Sequence, residues 1–143
     1  MVGVTVFPGT GHVKLSPLMF HEYSRQYIHC ESLFSATVSH SPIPYFLLCR
    51  AIELELKARH LDLTSLAKVK RQFGHSLVKS YDALPPAAKN LNSAERGVLQ
   101  HASSIYDVPR KGFEYVTVWD AVTGMREFAD LATLRCIAVK GVG

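Results

Sequence analysis

Residues 42–61, with the sequence PIPYFLLCRAIELELKARHL, predict a helix that is apolar on two sides. Ser41 and Pro42 form its start signal, because serine caps helix N-termini and proline fits the first turn. One apolar stripe is formed by Leu47, Ala51, Leu54, Ala58 and Leu61, and the other by Tyr45, Leu48, Cys49, Ile52 and Leu56. Each stripe needs a packing partner, so we expect this segment to be the central helix of a bundle.

The charged side chains of this segment pair along the same helix. Glu53 stands four residues before Lys57, and Glu55 stands four residues before Arg59. This is the favourable order for ion pairs between successive turns of a helix. We therefore expect both pairs to stabilise the central helix.

The residues before the central helix predict a second helix and a short strand. The start signal recurs at Ser16, and five side chains then follow at helical spacing: Phe20, Tyr23, Tyr27, Cys30 and Phe34. Further upstream, before the turn sequence FPGTG, lies an alternating pattern that is typical of a strand: Val2, Val4 and Val6. Residues 1–15 are thus expected to form a short extension of one helical domain that covers residues 1–143.

The residues after the central helix predict a helix that breaks near Gly74. The segment LTSLAKVKRQF ends at this glycine, and HSLVKSYDAL ends at Pro85 and Pro86. Asn92 and Glu95 then have the spacing of a capping box. The helix that they begin is expected to bury one face: Ala94, Val98, Ala102 and Ile105.

The last part of the chain predicts a strand and a final helix. Residues 113–119, FEYVTVW, have strand-like composition, and a strand would place Phe113, Tyr115 and Trp119 on one side. The sequence GMREFADLATLRCIAV predicts an amphipathic helix that ends at Gly141. The expected fold class is thus all-α, an up-and-down bundle of about five helices with minor short strands.

Composition limits the class of protein. A length of 143 residues fits one domain, and no apolar run is long enough to span a membrane. The first residues lack the features of a secretion signal, so the cytoplasm is the expected location. The cysteines Cys30, Cys49 and Cys136 have no metal-binding spacing and are expected to be reduced, buried and inert. No metal or cofactor is expected, because the histidines also lack ligand spacing and no phosphate loop occurs.

The positive charge of the chain is concentrated in one stretch. The formal net charge is +4, and residues 63–81 contain four cations without any acidic residue: Lys68, Lys70, Arg71 and Lys79. The rest of the chain therefore balances to zero. A cationic surface suits a polyanion such as RNA, because each neutralised phosphate releases a counterion. The alternative is a solvated helix face with an excess of lysine.

The run AIELELKARHLD, followed by FGHSLVKSYDAL and an arginine-bearing segment, resembles the HEPN domain family over roughly residues 42–115. Its most specific features are the acidic and leucine residues before Lys57 and the step formed by Gly74, His75 and Leu77. The family consists of small helical domains associated with prokaryotic defence, toxin–antitoxin pairs and RNA processing. The resemblance implies a protein that binds RNA or a nucleotide, as a homodimer and with an antitoxin-like protein as a further partner.

HEPN proteins that cut RNA carry an arginine, four to six residues and then a histidine, and Arg96 and His101 have this spacing. The resemblance implies a metal-independent endoribonuclease in which His101 moves protons and Arg96 stabilises the charged phosphorane. Five residues rotate by about 140° along a helix, so the two side chains do not share a face and need a second subunit to form a site. The alternative is a packed histidine and a surface arginine.

A second arginine, Arg110, lies in the loop YDVPRKG. The motif Tyr-x-x-x-Arg that ends at Arg110 resembles a segment shared by cleaving and non-cleaving family members. In that register Tyr115 replaces the histidine, and a tyrosine keeps its proton until about pH 10. We therefore expect Arg110, Lys111 and Tyr115 to contribute to nucleic-acid binding. The alternative is a structural arginine that pairs with Asp107 or Glu114.

Three classes of function are compatible with the sequence. The first is an RNA- or nucleotide-binding protein that uses the basic residues on phosphates. The second is the endoribonuclease, and the third is a non-catalytic adaptor whose apolar faces mediate assembly. Salt-sensitive binding to RNA distinguishes the first two classes from the third, and cleavage in the presence of EDTA identifies the second.

Overall fold

The computed structural model describes residues 4–7 and 10–142, and most of these residues are helical. Two short strands, β1 (Val4–Phe7) and β2 (Thr10–Val13), come first. The helices are α1 (Pro17–Leu33), α2 (Pro42–Leu61), α3 (Leu66–Phe73), α4 (Leu77–Asp82), α5 (Ser93–Tyr106), α6 (Val118–Thr123) and α7 (Leu131–Val142). The expected all-α bundle with minor strands is confirmed, with seven α-helices in the described ranges instead of about five.

Helix α2 is the centre of the bundle, as its two stripes predict. It contacts α1, α3, α4, α5 and α7, and its side chains are buried along most of its length. Leu54 and Ala58 on one stripe pack against Phe20 of α1. The other stripe, which includes Leu48 and Ile52, joins the main core with residues of α4, α5 and α7. Within the described ranges, no helix combines the length and the hydropathy that a membrane span requires.

Strands β1 and β2 form an antiparallel hairpin. Val4 lies opposite Val13, and Val6 lies opposite Gly11. The predicted strand is confirmed at Val4 and Val6, while Val2 lies outside the described residues. The chain then continues into a second strand, which the sequence patterns do not predict.

Helix α1 buries part of the face that its aromatic residues predict, since Phe20 is buried and Tyr23 and Tyr27 are partly buried against Leu54 and Ala58 of α2. Its buried residues are Phe20, Ser24 and Glu31. The Ser24 hydroxyl donates a hydrogen bond to the carbonyl of Ala51 at 2.7 Å, and the guanidinium of Arg135 donates to the carboxylate of Glu31. These partners satisfy the two polar side chains, which allows them to occupy buried positions.

The cysteines are not all buried, which corrects the prediction. Cys49 lies in the core, where burial and then the charge of Asp107 raise the pKa of its thiol. Cys30 and Cys136 are exposed. The predicted face of α1 is therefore buried at Phe20 and partly at Tyr23 and Tyr27, but not at Cys30.

The break near Gly74 and the start of α5 are confirmed. Gly74 ends α3 with a φ of +55°, which glycine adopts more readily than residues with a Cβ. The capping box of Asn92 and Glu95 begins α5. The buried face of α5 differs from the prediction, because Leu99 and Tyr106 are buried with Ala102 and Ile105, whereas Val98 is half-buried and Ala94 is exposed. Leu99 and Tyr106 remove more apolar surface from water than alanine does.

The strand predicted at residues 113–119 is wrong. Phe113 is buried in the core, whereas Tyr115 is exposed, so the side chains do not share one face. Thr117 begins α6 through a capping box with Asp120. The spacing Thr-x-x-Asp is a helix start signal, and it outweighs the strand-like composition of the segment.

Helix α7 begins later than predicted, at Leu131. The carboxylate of Asp130 accepts a hydrogen bond from the amide of Thr133 at 3.1 Å and so caps the helix. The preceding residues form a loop instead of a helical turn. This loop is held by Arg126, whose guanidinium donates to the carbonyl of Gly112 at 2.7 Å.

Candidate functional site

The carboxylate of Glu53 on α2 is buried and has four polar partners. Tyr106 of α5 donates to Oε1 at 2.5 Å. The ammonium of Lys57 lies 2.5 Å from Oε2, which confirms the predicted pair, and Nδ1 of His75 lies 2.8 Å from the same oxygen. The guanidinium of Arg50 lies 3.3 Å from Oε2. We call these five residues the Glu53 cluster.

Hydrogen bonds keep Glu53 ionised in spite of its burial. Burial alone would raise the pKa of this carboxyl, but hydrogen bonds from Lys57 and Tyr106 outweigh it and hold the pKa of Glu53 below its ordinary value. Burial, followed by the charge of Glu53, raises the pKa of Tyr106, which therefore keeps its proton. Because an ionised carboxylate only accepts hydrogen bonds, Nδ1 of His75 carries a proton and Nε2 is left for another partner.

A cleft of about 300 Å³ opens beside the Glu53 cluster. Its lining residues are Phe46, Arg50, His75, Tyr106, Val108, Lys111 and Glu114. The side chain of His75 is half exposed, and that of Arg50 is about one-third exposed. Lys111 has no ion-pair partner among the described residues. The cleft therefore presents cationic and imidazole groups that remain accessible from outside.

A second carboxylate, Glu127, connects two of the residues that the sequence singles out. Its Oε2 lies 2.7 Å from Nε2 of His101, and its Oε1 lies 2.9 Å from the guanidinium of Arg110. That guanidinium also lies over the ring of Trp119, 4.6 Å from the centroid. The hydrogen bond from His101 is the main cause that lowers the pKa of Glu127. We call these four residues the Glu127 cluster.

Arg96 and His101 have separate partners. Arg96 forms a bidentate pair with Asp82, with N–O distances of 2.9 and 2.5 Å, and this pair lowers the pKa of Asp82. His101 is exposed and pairs with Glu127. Within one chain, the histidine therefore shares a carboxylate with Arg110, while Arg96 has a carboxylate of its own.

The loop after α5 connects the two clusters. Arg110 pairs with Glu127 instead of a carboxylate of its own loop, and the next residue, Lys111, lines the cleft. Gly112 fixes the loop against α5, because its amide donates to the carbonyl of Ile105 at 2.6 Å. A Cβ at position 112 would lie 2.6 Å from Cγ2 of Ile105, so a side chain here would displace the loop.

The four cations of residues 63–81 are all exposed: Lys68, Lys70, Arg71 and Lys79. We call them the basic flank. Three of them lie on α3 and the fourth lies on α4. In the described ranges, every other arginine binds a carboxylate or a carbonyl, whereas Arg71 has no such partner. His75, which lines the cleft, lies in the turn that joins α3 to α4.

Tyr115 belongs to an exposed apolar stretch and does not line the cleft. We call this stretch the 115–125 surface, and it consists of Tyr115, Val116, Val118, Trp119, Val122 and Met125. Val118 and Val122 are 81% and 80% exposed. Large exposed apolar patches are typical of sites where proteins associate.

Comparisons with known proteins assign no family to the chain. No protein-family model matches it, and neither the curated proteins nor the solved structures contain a significant match. The resemblance to the HEPN family is thus a hypothesis that rests on residues 42–115. In the part of the chain that the structure describes, no three His, Cys, Asp or Glu side chains are placed to hold a metal ion.

The Glu53 cluster is a site that the sequence patterns do not reveal. Its members come from α2, from the turn after α3 and from α5, and they are far apart along the chain. One signal was present, because a helix with two apolar stripes leaves little polar surface for Glu53. A buried carboxylate needs partners from other elements. The sequence does not identify His75 and Tyr106 as those partners.

Proposed function

We propose that this protein binds RNA or a nucleotide through phosphate groups, as a cytoplasmic HEPN-type domain of a defence or toxin–antitoxin system. The observation that carries the proposal is the basic flank, whose exposed cations have no carboxylate partner among the described residues. Lys111 in the cleft adds a further unpaired cation. Arg110 and Tyr115 contribute less, because Arg110 is already neutralised by Glu127 and Tyr115 lies outside the cleft.

Unpaired surface cations favour a polyanion over a protein carboxylate. Each phosphate that binds a lysine or arginine releases a condensed counterion, and the affinity therefore falls with salt. For a single strand, the slope of log K against log salt is about −0.7 per contact, so four contacts give about −3. Binding of this kind carries no sequence preference of its own.

Fluorescence anisotropy with a single-stranded RNA, measured over a range of salt concentrations, tests this function. We expect the triple variant Lys68→Gln, Lys70→Gln and Arg71→Gln to weaken binding and to reduce the salt slope by about 2. A control with the same change in net charge substitutes glutamine at three other exposed cations: Lys14, Arg25 and Lys89. Equal binding by the two triple variants would contradict a role for the basic flank.

A second candidate, a metal-independent endoribonuclease, is favoured by the Glu127 cluster. In this cluster Glu127 orients the imidazole of His101, and such a histidine suits proton transfer. The same carboxylate also holds Arg110, and a guanidinium suits stabilisation of a charged phosphorane. In this proposal His101 moves protons. The arginine is Arg110 of the same chain, or Arg96 of a second subunit.

Incubation of the pure protein with mixed RNA in EDTA tests the endoribonuclease. We expect His101→Ala to abolish cleavage and Glu127→Gln to reduce it, because the imidazole loses its orienting partner. Asp82→Asn releases Arg96 from its own carboxylate and leaves the Glu127 cluster intact, so unchanged cleavage in this variant would assign the role of the arginine to Arg110. Unchanged cleavage by His101→Ala would remove this candidate.

The 115–125 surface supports the proposed homodimer, and an antitoxin-like protein is the proposed further partner. A non-catalytic adaptor would use the same surface without binding RNA. Light scattering of the wild type and of Val118→Glu distinguishes the oligomeric states, because a buried unpaired charge at an apolar interface is costly. We expect a dimer for the wild type and a monomer for the variant. RNA binding that is absent, or that does not depend on salt, would favour the adaptor.

A further inference from the structure

The cleft beside Glu53 brings polar groups from three elements to one concave space: the guanidinium of Arg50, the imidazole of His75 and the ammonium of Lys111. Arg50 lies on α2, where it is held by Glu53 at 3.3 Å. A guanidinium has five N–H donors, so some of them are left for a ligand. His75 lies in the turn between α3 and α4, and Lys111 lies in the loop after α5.

The charges around the cleft favour an anion. Of the residues that line the cleft, Arg50 and Lys111 carry positive charges and Glu114 carries a negative charge. Behind this lining, the charges of Glu53 and Lys57 balance each other. Both oxygens of Glu53 already have donors, so this carboxylate does not offer free acceptors to a ligand. Glu114 is exposed, and solvent screens its charge. An anion in the cleft therefore meets a net positive environment.

Arg50 and His75 are held in position before a ligand arrives. The buried carboxylate of Glu53 fixes Arg50 and His75, and Gly112 fixes the loop that carries Lys111. Groups that are ordered in the free protein lose less conformational entropy when they bind. Arg50 and His75 are therefore ordered by a carboxylate, in contrast to Lys111 and the basic flank, whose cations have no carboxylate partner among the described residues. The two ordered groups suit the cleft to the recognition of one specific ligand group.

We propose that this cleft binds a terminal phosphomonoester, at the end of an RNA strand or on a free mononucleotide. The inference rests on the proposed RNA- or nucleotide-binding function. A phosphomonoester has three terminal oxygens and close to two negative charges at neutral pH, whereas a phosphodiester inside a strand has two free oxygens and one charge. Arg50 and Lys111 supply N–H donors for the phosphate oxygens, and His75 adds a third donor, Nε2–H, in the state in which both of its ring nitrogens carry a proton. A volume of about 300 Å³ is at the lower end for ligand sites, which suits an end group.

Calorimetry with one short single-stranded RNA in three forms tests the proposal: with a 5′-phosphate, with a 3′-phosphate and with hydroxyls at both ends. AMP is the probe for a free mononucleotide. We expect one phosphorylated RNA to bind about tenfold tighter than the hydroxyl form, since a hydrogen bond to a charged group contributes on that scale. Lys111→Gln and His75→Gln should each remove most of this preference. Glu114→Gln should strengthen binding of the phosphorylated form, because it removes a repulsive charge.

Two controls separate the cleft from the basic flank and from misfolding. Lys68→Gln should weaken binding of all three RNA forms by the same factor, because a flank lysine contacts the strand and not its end. The melting temperature of each variant is compared with that of the wild type. Lys111→Gln is the main variant, since Lys111 has no ion-pair partner in the described ranges and its replacement should leave the fold unchanged.

Each outcome supports or contradicts a defined statement. Equal affinity for the three RNA forms would overturn the terminal-phosphate site and leave the proposed RNA binding in place. If both Lys111→Gln and His75→Gln still preferred the phosphorylated RNA, the cleft would be excluded as the location of the terminal-phosphate site. Binding of AMP that is lost in Lys111→Gln, without binding of any RNA, would support the site with a mononucleotide as its ligand. No binding to any probe would contradict both proposals.

Discussion

The Glu53 cluster and the Glu127 cluster use the same chemistry in two different settings. In each, one carboxylate contacts a histidine nitrogen and an arginine. The side chain of Glu53 is 4% exposed and lies on the central helix, whereas that of Glu127 is 33% exposed and lies in the loop before α7. Because the partners are of the same type, we expect the difference in burial to make the Glu53 cluster affect stability more strongly than the Glu127 cluster.

The same difference separates their functional uses. A buried cluster holds its members in fixed positions, because breaking any of its bonds leaves an unpaired group away from water. The Glu53 cluster therefore suits the positioning of Arg50 and His75 at the cleft. A partly exposed ion pair costs less to break than a buried one, so His101 and Arg110 can exchange Glu127 for a ligand or a partner.

The largest expected effect comes from Glu53→Gln. The variant leaves the charges of Lys57 and Arg50 without their carboxylate, and removal of one member of a buried pair costs about 3–5 kcal/mol. Glu127→Gln is the matched control and should lower the free energy of unfolding by less than about 1 kcal/mol. Urea denaturation measures both. Equal losses in the two variants would show that burial does not distinguish the clusters.

Tyr106→Phe should lower the free energy of unfolding by about 1.5–3 kcal/mol, because it removes a hydrogen bond to a buried charge. It should also change the response to acid. The pKa of Glu53 is lower in the folded protein than its ordinary value of about 4.3. The ionised carboxylate therefore contributes its full stabilisation of the fold above about pH 4.3, and this stabilisation is lost as the pH falls through the folded pKa. Without the tyrosine hydroxyl the folded pKa rises.

Acid unfolding of Tyr106→Phe should therefore begin at a higher pH than in the wild type. Circular dichroism at a series of pH values below 6 measures this shift. Tyr115→Phe is the control, since Tyr115 is exposed and its hydroxyl is not part of the Glu53 cluster. An acid transition that is unchanged by Tyr106→Phe would exclude this hydrogen bond as a cause of the low pKa of Glu53.

Gly112→Ala tests the loop that joins the two clusters. The new Cβ would lie 2.6 Å from Cγ2 of Ile105 and 3.0 Å from its carbonyl oxygen, and overpacking of this kind costs about 1–3 kcal/mol. Gly97→Ala on α5 is the matched control, because a Cβ there meets no atom within 4 Å. The control should gain up to about 1 kcal/mol from the helix propensity of alanine. Thermal unfolding measures the stability of both variants. An equal loss of stability in Gly112→Ala and Gly97→Ala would contradict the close contact between Gly112 and Ile105.

The smallest expected effect is that of Arg110→Ala on stability, less than about 1 kcal/mol. The fluorescence of Trp119, the only tryptophan of the chain, should nevertheless change, because the guanidinium lies over its ring. Lys111→Ala should leave the emission as it is in the wild type. An emission spectrum that does not respond to Arg110→Ala would argue against the contact with Trp119.

Much of the helical fold could be predicted from local patterns. The two stripes of α2, the cap at Ser41 and the capping box at Asn92 each depend on residues a few positions apart. The strand predicted at residues 113–119 failed, because the capping box at Thr117 competes with strand-like composition and prevails. Short segments with conflicting local signals are decided by packing, which a pattern does not contain.

The candidate site could be predicted only in part. Charge alone singled out the basic flank, because a run of cations without acidic residues can be read from a sequence. Lys111 was named only through the family resemblance. The Glu53 cluster depends on contacts between residues that are 22 and 53 positions apart, to His75 and Tyr106. Such contacts follow from how the helices pack, so only the fold reveals them.

The central claim is that the terminal phosphate of an RNA binds beside the Glu53 cluster and not at the Glu127 cluster. A ¹H–¹⁵N NMR titration of the protein with the phosphorylated RNA that binds more tightly tests it directly. We predict that the amide signals of Arg50, His75 and Lys111 shift, with those of His101 and Glu127 unchanged. Shifts confined to His101 and Glu127, with no change at Arg50 and His75, would contradict the claim.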